Sequence, residues 1–416
     1  MSDKAQVVIG GVDTHKDIHV AAVISPVGSV LSTSSFPSTP KGFRDILAWM
    51  RSFGEPVKVG VEGTGSYGAG LARFLASQGI VIVEVNRPNR RARRAKGKSD
   101  TVDAQGAALS ALNGQAQAVP KTGDGIIEAI RVLRVAYCSA RQTRTRISNQ
   151  IRDLIVTAPD KLRGTLGPLG TEERVWRCGL LRPSSDIANP TQATRIALKS
   201  LAQQYKFLTQ EMAELYSHLD VLTAKANPGL RGAKGLGVDT AAILLTCAGD
   251  NPERMRTQAG FAALCGASPV EASSGKVIRH RLNRGGNRQA NHALWRIAMV
   301  RMTCHDATKQ YVAKRKAQGK SDREIMRCVK RYIAREVYRL LTHPQVVPDG
   351  RDLRIARIAK GLTLTYVAKT LGVSVTELSR IERAITHNSE FAIGYQSWLK
   401  TIQPAKIPSQ SEVLAA

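Results

Sequence analysis

No apolar run in this sequence approaches the ~20 residues that a membrane-spanning helix needs. The start, MSDKAQ, leads into a strand-like stretch and not into a basic and then apolar leader. A cytoplasmic protein is the simplest expectation. Cysteine is sparse as well. Cys138, Cys178, Cys247, Cys265, Cys304 and Cys328 are scattered with no C-x-x-C pair, which excludes a zinc ribbon or a disulfide framework and leaves reduced packing residues. Carboxylates are in short supply too: 33 acidic residues face 61 lysines and arginines, for a net charge of +28. So large an excess points to nucleic acid or an anionic surface, and the missing membrane features favour nucleic acid. A chain of 416 residues suits two to three domains at roughly 100 to 200 residues each.

What the sequence does hold is a cationic run joined to two acids, RPNRRARRAKGKSDTVD. Arg87, Arg90, Arg91, Arg93, Arg94, Lys96 and Lys98 can neutralise a phosphate backbone through counterion release, whatever the base sequence. Asp100 and Asp103 follow at once. At i and i+3 on a helix they share a face, so their oxygens can converge on a hard divalent cation such as Mg²⁺ or Mn²⁺. The plainer account is a solvated helix start with acids at the positive end of the dipole.

Toward the N-terminus, VVIGGVDTHKDIHVAAVI places β-branched residues on both sides of Asp13, as two strands of a hairpin or one long bent strand. A carboxylate inside a sheet is costly unless paired or metal-bound. His15, Lys16, Asp17 and His19 read as ordinary polar residues at the turn. Val57 to Val61 form another short strand, ended by Glu62 and the glycine-rich GTGSYG. A helix, LARFLASQG, and a strand, IVIVEV, come next, so strands and helices alternate as in an α/β layer fold.

Asp13 on the first strand, Glu62 at the end of a later one, and Asp100 with Asp103 on a helix resemble the DEDD tetrad of RuvC-like nucleases. More narrowly, VDTHKD, VEGTGSYG and KSDTVDAQ are similar to the N-terminal motifs of the DEDD insertion-sequence transposases, the bridge-RNA-guided recombinases. The resemblance covers about residues 5 to 340. It implies an α/β, ribonuclease H-like (RuvC-like) domain over 5–120, whose tetrad holds Mg²⁺ or Mn²⁺. It further implies DNA as substrate, a guide RNA, and a homo-oligomer, dimer or tetramer. Four carboxylates at one site would repel without cations, and two metals could activate an attacking oxygen and stabilise a leaving one. Sugar kinases and actin-like ATPases share the fold and a first-strand aspartate. Here, though, the turn after Asp13 continues Thr-His-Lys where those proteins need a glycine-rich phosphate loop.

Beyond Asp103 the chain reads as helical, with a coiled-coil region over 121–226. Ile126 to Ile155 is long and arginine-studded, and Lys161 to Pro190 reads as a break. Leu198, Leu201, Tyr205, Leu208, Met212, Leu215, Leu219 and Leu222 then alternate spacings of three and four, a coiled-coil seam that needs a partner. Ile126 to Ile155 of the same chain, or a second subunit, can supply it.

The all-α remainder divides into a serine-bearing transposase region over 227–341, a helix-turn-helix over 351–400 and a tail over 401–416 that reads as disordered. LRGAKGLGVDTAAILL resembles a helix-hairpin-helix, with Gly235 and Gly237 permitting a turn whose amides can hold a phosphate; a plain helix–helix turn fits equally. The stretch FAALCGASPVEASSGKVIRHRLNRGGNRQANHALWRIA resembles the C-terminal domain of the same transposases, whose hallmark is a serine before glycine. Ser274, preceding Gly275, matches that position and is implied as the nucleophile, with Ser273 adjacent. Arg279, Arg281, Arg284 and Arg288 follow and can neutralise a phosphate. After the linker THPQVVPDG, the chain resembles lambda-repressor-like regulators, with Ser374, Thr376, Glu377 and Arg380 set toward a major groove. Two other readings stay open: a metal-dependent, Holliday-junction-type resolvase without a covalent intermediate, and a DNA-binding regulator that uses only the helix-turn-helix.

Overall fold

The structure, a computed structural model, describes residues 6–85, 99–275, 280–281 and 283–402. The basic residues Arg87, Arg90, Arg91, Arg93, Arg94, Lys96 and Lys98, together with Arg279 and the tail beyond residue 402, lie outside them. The chain forms two compact units. One takes the sequence up to Gly125 together with Ala248–Arg256, and the other takes Ile126–Cys247 with Thr257 onward.

In the first unit the apolar stretches around Asp13 pair as a hairpin, β1 (Val7–Thr14) with β2 (Ile18–Ile24). Three further strands join it: β3 (Val30–Pro37), β4 (Glu55–Glu62) and β5 (Val81–Val85). Among the described residues they order as β3-β2-β1-β4-β5, with β4 parallel to both β1 and β5. One face buries Val8, Val12, Val59 and Val61 against α1 (Pro40–Arg51) and α2 (Ala69–Ser77). Helix α1 and the edge strand β3 come from a segment that lacks strong local signals. A Thr39 cap that accepts from Gly42 N at 3.1 Å, followed by Pro40, starts α1.

The other face is built differently. Helix α3 (Asp100–Leu112) buries Ala104, Ala107, Ala108 and Ala111, a stripe at spacings of three and four that has almost no side-chain height. The strands opposite carry glycines. A Cβ on Gly11 would lie 2.2 Å from Ala108 N and 2.3 Å from Ala104 O, and one on Gly60 would lie 2.5 Å from Ala107 O. The helix backbone therefore rests directly on β1 and β4, closer than any larger side chain allows.

In the second unit α4 (Ile126–Val156) runs antiparallel to α7 (Pro190–Ala226). Tyr137 meets Tyr216 at 6.0 Å, while farther along Arg144 meets Thr209 and lies over the Tyr205 ring. The seam thus finds a partner within its own chain. The expected break at Lys161 to Pro190 is instead partly helical. Its α5 (Asp160–Leu166) and α6 (Thr171–Gly179) close the far end of the pair, where Leu166, Val175 and Cys178 pack with Leu198 and Ala202.

After α7 a hairpin joins α8 (Pro228–Gly232) to α9 (Val238–Ala248), with Gly235 at φ +83° making the turn. Then come α10 (Gln258–Leu264), a two-stranded hairpin of β6 (Val270–Glu271) and β7 (His280–Arg281), α11 (Arg288–Cys304), α12 (Asp306–Ala317) and α13 (Asp322–Thr342). Arg301 ties several of these together. It donates to both oxygens of Glu336, at 2.5 and 2.9 Å, and to Lys234 O at 2.8 Å.

The C-terminal helices α14 (Gly350–Ala359), α15 (Leu364–Thr370), α16 (Val375–Glu382) and α17 (Ser389–Thr401) enclose a core of Leu353, Val367, Leu378 and Tyr395. A buried, bidentate Arg357–Glu382 pair, with Tyr395 Oη donating to the same carboxylate at 2.9 Å, braces it. The domain is not a free appendage on a linker. Ser389 Oγ lies 3.2 and 3.0 Å from the carbonyls of Pro228 and Gly229, and Gly232 leaves no room for a Cβ beneath it.

Candidate metal centre and serine hairpin

The register of the sheet sets the first carboxylates side by side. Val12 pairs with Val61 across the parallel β1–β4 ladder, so Asp13 and Glu62 follow one another at adjacent strand ends, and Thr14 Oγ1 donates to Glu62 O at 2.7 Å. The seating of α3 on Gly11 and Gly60 brings its first turn, with Asp100 and Asp103, to the same place. Asp13 is 6% exposed and Asp103 8%, whereas Asp100 opens to solvent.

His15 completes the cluster. Its Nε2 lies 3.2 Å from Asp13 Oδ2 and 3.5 Å from Asp100 Oδ1. Asp13, His15 and Asp100 each bring a ligand atom within 4.8 Å of the others. The sequence alone makes His15 an ordinary polar residue at the turn, and the structure places it among the carboxylates. A legible signal existed in the D-x-H spacing, because residues two apart at a strand end share a side. His19 has a different role: it is fully buried, stacks on Phe43, lies 3.2 Å from Ser38 Oγ and is held below the ordinary histidine range by burial.

Burial pushes the Asp13 carboxyl above the ordinary carboxylate range; His15 opposes this, and Asp103 and Asp100 push it up further. A buried acid among acids is the environment a hard cation relieves, and the donors are mostly oxygens. The set therefore fits a divalent metal, with Asp13, His15 and Asp100 as the groups whose ligand atoms converge and with Glu62 and Asp103 on the adjoining strand end and helix turn.

In the second unit Ser274 is exposed between β6 and β7, directly ahead of Gly275 at φ +56°, a left-handed conformation that favours glycine. Arg281, Arg284 and Arg288 are exposed nearby in sequence, with Arg288 opening α11 behind the Asn287 cap. At α16, Thr376, Glu377 and Arg380 are exposed, while Ser374 Oγ is engaged as the N-cap, accepting from Glu377 N at 3.1 Å. Among the described residues no helix is long and apolar enough to cross a membrane.

Residues 10–158 match the transposase family described as DEDD_Tnp_IS110, residues 228–313 match a transposase family described as IS116/IS110/IS902, and residues 353–388 match a helix-turn-helix family. A relative, the uncharacterized 43.6 kDa protein of insertion element IS110 from Streptomyces coelicolor, is 26% identical over 223 residues, covering 44% of this chain and 55% of its own. The chain thus spans about half the length of the curated relative it matches. In sequence order, then, the chain is similar to two transposase families of the IS110 group and, after them, to a helix-turn-helix family.

Proposed function

We propose that this protein is a DNA recombinase of the transposase class, which cuts and rejoins the DNA of an insertion sequence through a covalent serine ester. The observation that carries the reading is the meeting of Asp13 from β1 with Asp100 and Asp103 from α3, beside Glu62 at the end of β4, in a chain with two transposase domains. The strand order β3-β2-β1-β4-β5 with α3 across it supports a ribonuclease H-like fold for this unit.

Asp13, Glu62, Asp100 and Asp103 hold Mg²⁺ or Mn²⁺ in this reading. When bound, the cations polarise the scissile phosphate and ease loss of the attacking hydroxyl's proton. His15 keeps Asp13 and Asp100 oriented through its imidazole. Ser274 Oγ then forms an ester to phosphorus while the bond to the leaving sugar oxygen breaks, and that oxygen takes up a proton. The ester conserves the phosphodiester's energy, so rejoining needs no ATP. The basic run from Arg87 to Lys98, with Arg279, Arg281, Arg284 and Arg288, neutralises backbone charge. A guide RNA selects donor and target DNA by base pairing. Ser374, Thr376, Glu377 and Arg380 face DNA from the helix-turn-helix. The working form is a cytoplasmic homo-oligomer in which one subunit's tetrad serves with another's serine.

The test uses the full chain with its copurifying RNA and nicked DNA taken from the flanks of its gene, quenched in denaturant. DNA should stay attached to protein and map by mass spectrometry to Ser274, and both Ser274→Ala and Asp13→Asn should abolish attachment. Attachment at Ser273 would move the assignment by one residue. Hydrolysed ends without any adduct would sink the reading in favour of a metal-only resolvase.

A further inference from the structure

The second unit contains a cleft of about 690 Å³ bounded by the β6–β7 hairpin, α12 and α13. Its lining is strongly cationic: Arg281 from β7, Arg315 from α12, and Arg327, Lys330, Arg331 and Arg335 from α13. Arg327, Arg331 and Arg335 recur every four residues, a spacing at which like charges on one helix face destabilise it. The proximity is physical, since burial and then the neighbouring Arg335 both weaken the hold of Arg331 on its proton.

Among the described residues a single carboxylate within the cleft, Glu324, faces this charge, from Lys320 and Arg327. That side chain turns back to accept from Ser321 N and Oγ at 3.0 and 2.8 Å in a capping box. Lys330 is the most costly member. It is 6% exposed, and its Nζ donates to Asn291 Oδ1 at 2.6 Å, one partner for a group with three donors. Burial lowers its affinity for the proton. Aromatic surface stands among the cations. Tyr311 and Tyr332 meet edge to face at 5.3 Å, Arg315 covers Tyr311, and Tyr332 remains 50% exposed.

We propose that this cleft holds a single strand of DNA beside the scissile phosphate, its phosphates on the α13 arginines and a base stacked on Tyr332. The assignment to the scissile strand rests on the reading of Ser274 as nucleophile. Cations that track a backbone beside an exposed aromatic face are the recurring means of holding a single strand, whereas a duplex buries its base faces and offers none for stacking. Topology selects the strand. His280 and Arg281 of the cleft pair with Glu271 and Val270, and Ser274 lies four residues past Val270, the partner of Arg281. Fully extended chain of that length spans about 14 Å at most. A strand seated on Arg281 therefore lies within the hairpin's reach of Ser274. The anion gathers charges that otherwise repel one another, and α13 holds them preformed.

The experiment measures binding apart from chemistry. Full-length protein carrying Ser274→Ala is titrated with a short fluorescent oligodeoxythymidylate over a range of salt. The Arg331→Ala/Arg335→Ala pair should weaken binding about 10-fold or more and flatten the salt slope by about 1.4, the value for two lost single-strand phosphate contacts. Tyr332→Leu should lose about 5- to 100-fold, the effect of one stacked base, and Tyr332→Phe should restore it. Because Arg335 is exposed, Arg335→Glu alone gives a folded check in the same direction. Unchanged affinity and slope in the arginine variants would overturn the proposal, and so would tighter binding of an oligouridylate of equal length through the same residues. Failure of the native chain to form a serine adduct would count against the recombinase reading and leave the cleft measurement standing.

Discussion

The two units present the groups proposed to react in opposite ways. In the first, acids are fixed by backbone laid on backbone: Gly11 and Gly60 let Ala104, Ala107 and Ala108 approach so closely that the start of α3 has one position over β1. In the second, Ser274 stands exposed between β6 and β7, and a cleft bounded by the same hairpin is lined mostly by cations. Groups that repel one another must be held by the fold before any cation arrives. A hydroxyl that attacks a polymer needs access instead. Rigidity therefore belongs to the carboxylate unit and exposure to the serine unit.

The comparison breaks most sharply at the glycines. Gly60→Val should cost about 3 kcal/mol or more by overpacking and remove adduct formation, although every carboxylate remains. Gly106→Ala, on the open side of the same helix, should instead stabilise by about 0.5–1 kcal/mol and leave activity alone. Thermal melts beside the adduct assay distinguish the two. A Gly60→Val chain that melts and reacts normally would show that close helix seating does not place the acids.

A smaller effect is expected at His15. His15→Ala should lower the rate of adduct formation about 10- to 100-fold, as for a residue that orients metal ligands, with an unchanged melting temperature because the ring is half exposed. Full activity in that variant would return His15 to the status of a turn residue.

The smallest effect sharpens the picture of the second unit. Burial, and then Arg231, hold His387 below the ordinary value of 6.5, against Asp220 and Asp349. Above 6.5 this residue is neutral both folded and unfolded. As pH falls below it, the unfolded chain takes the proton first, so stability declines until the folded value is reached, by at most about 1.4 kcal/mol per pH unit. Melts of His387→Gln on the acid side of 6.5 should show a shallower decline; the buried His19 contributes a similar slope that remains. An identical decline in the variant would exclude His387 as a source.

Much of this organisation was legible locally. The β-branched runs around Asp13, the strand ending at Glu62 and the long helix from Ile126 announce themselves by period and composition. Strand β3 and helix α1 did not, since VLSTSSFP is a half-exposed edge with weak alternation. The helices between Lys161 and Pro190 were hidden by glycines and prolines that, apart from Gly164 inside α5, lie at or between their ends, where such residues belong. His15 was passed over because its partners, Asp13 and Asp100, come from two distant segments.

By itself the sequence determined residue types, charge and periodicity: which strongly patterned segments become strands or helices, that the chain is strongly cationic, and that acids stand at strand and helix ends. Those properties depend on neighbours a few residues away. Only the tertiary structure decided that α4 is the partner of α7, that the helix-turn-helix is seated on Gly232, and that an imidazole closes the carboxylate cluster. Each of these is settled by steric fit between segments far apart in sequence, where the absence of a single Cβ sets the distance of approach.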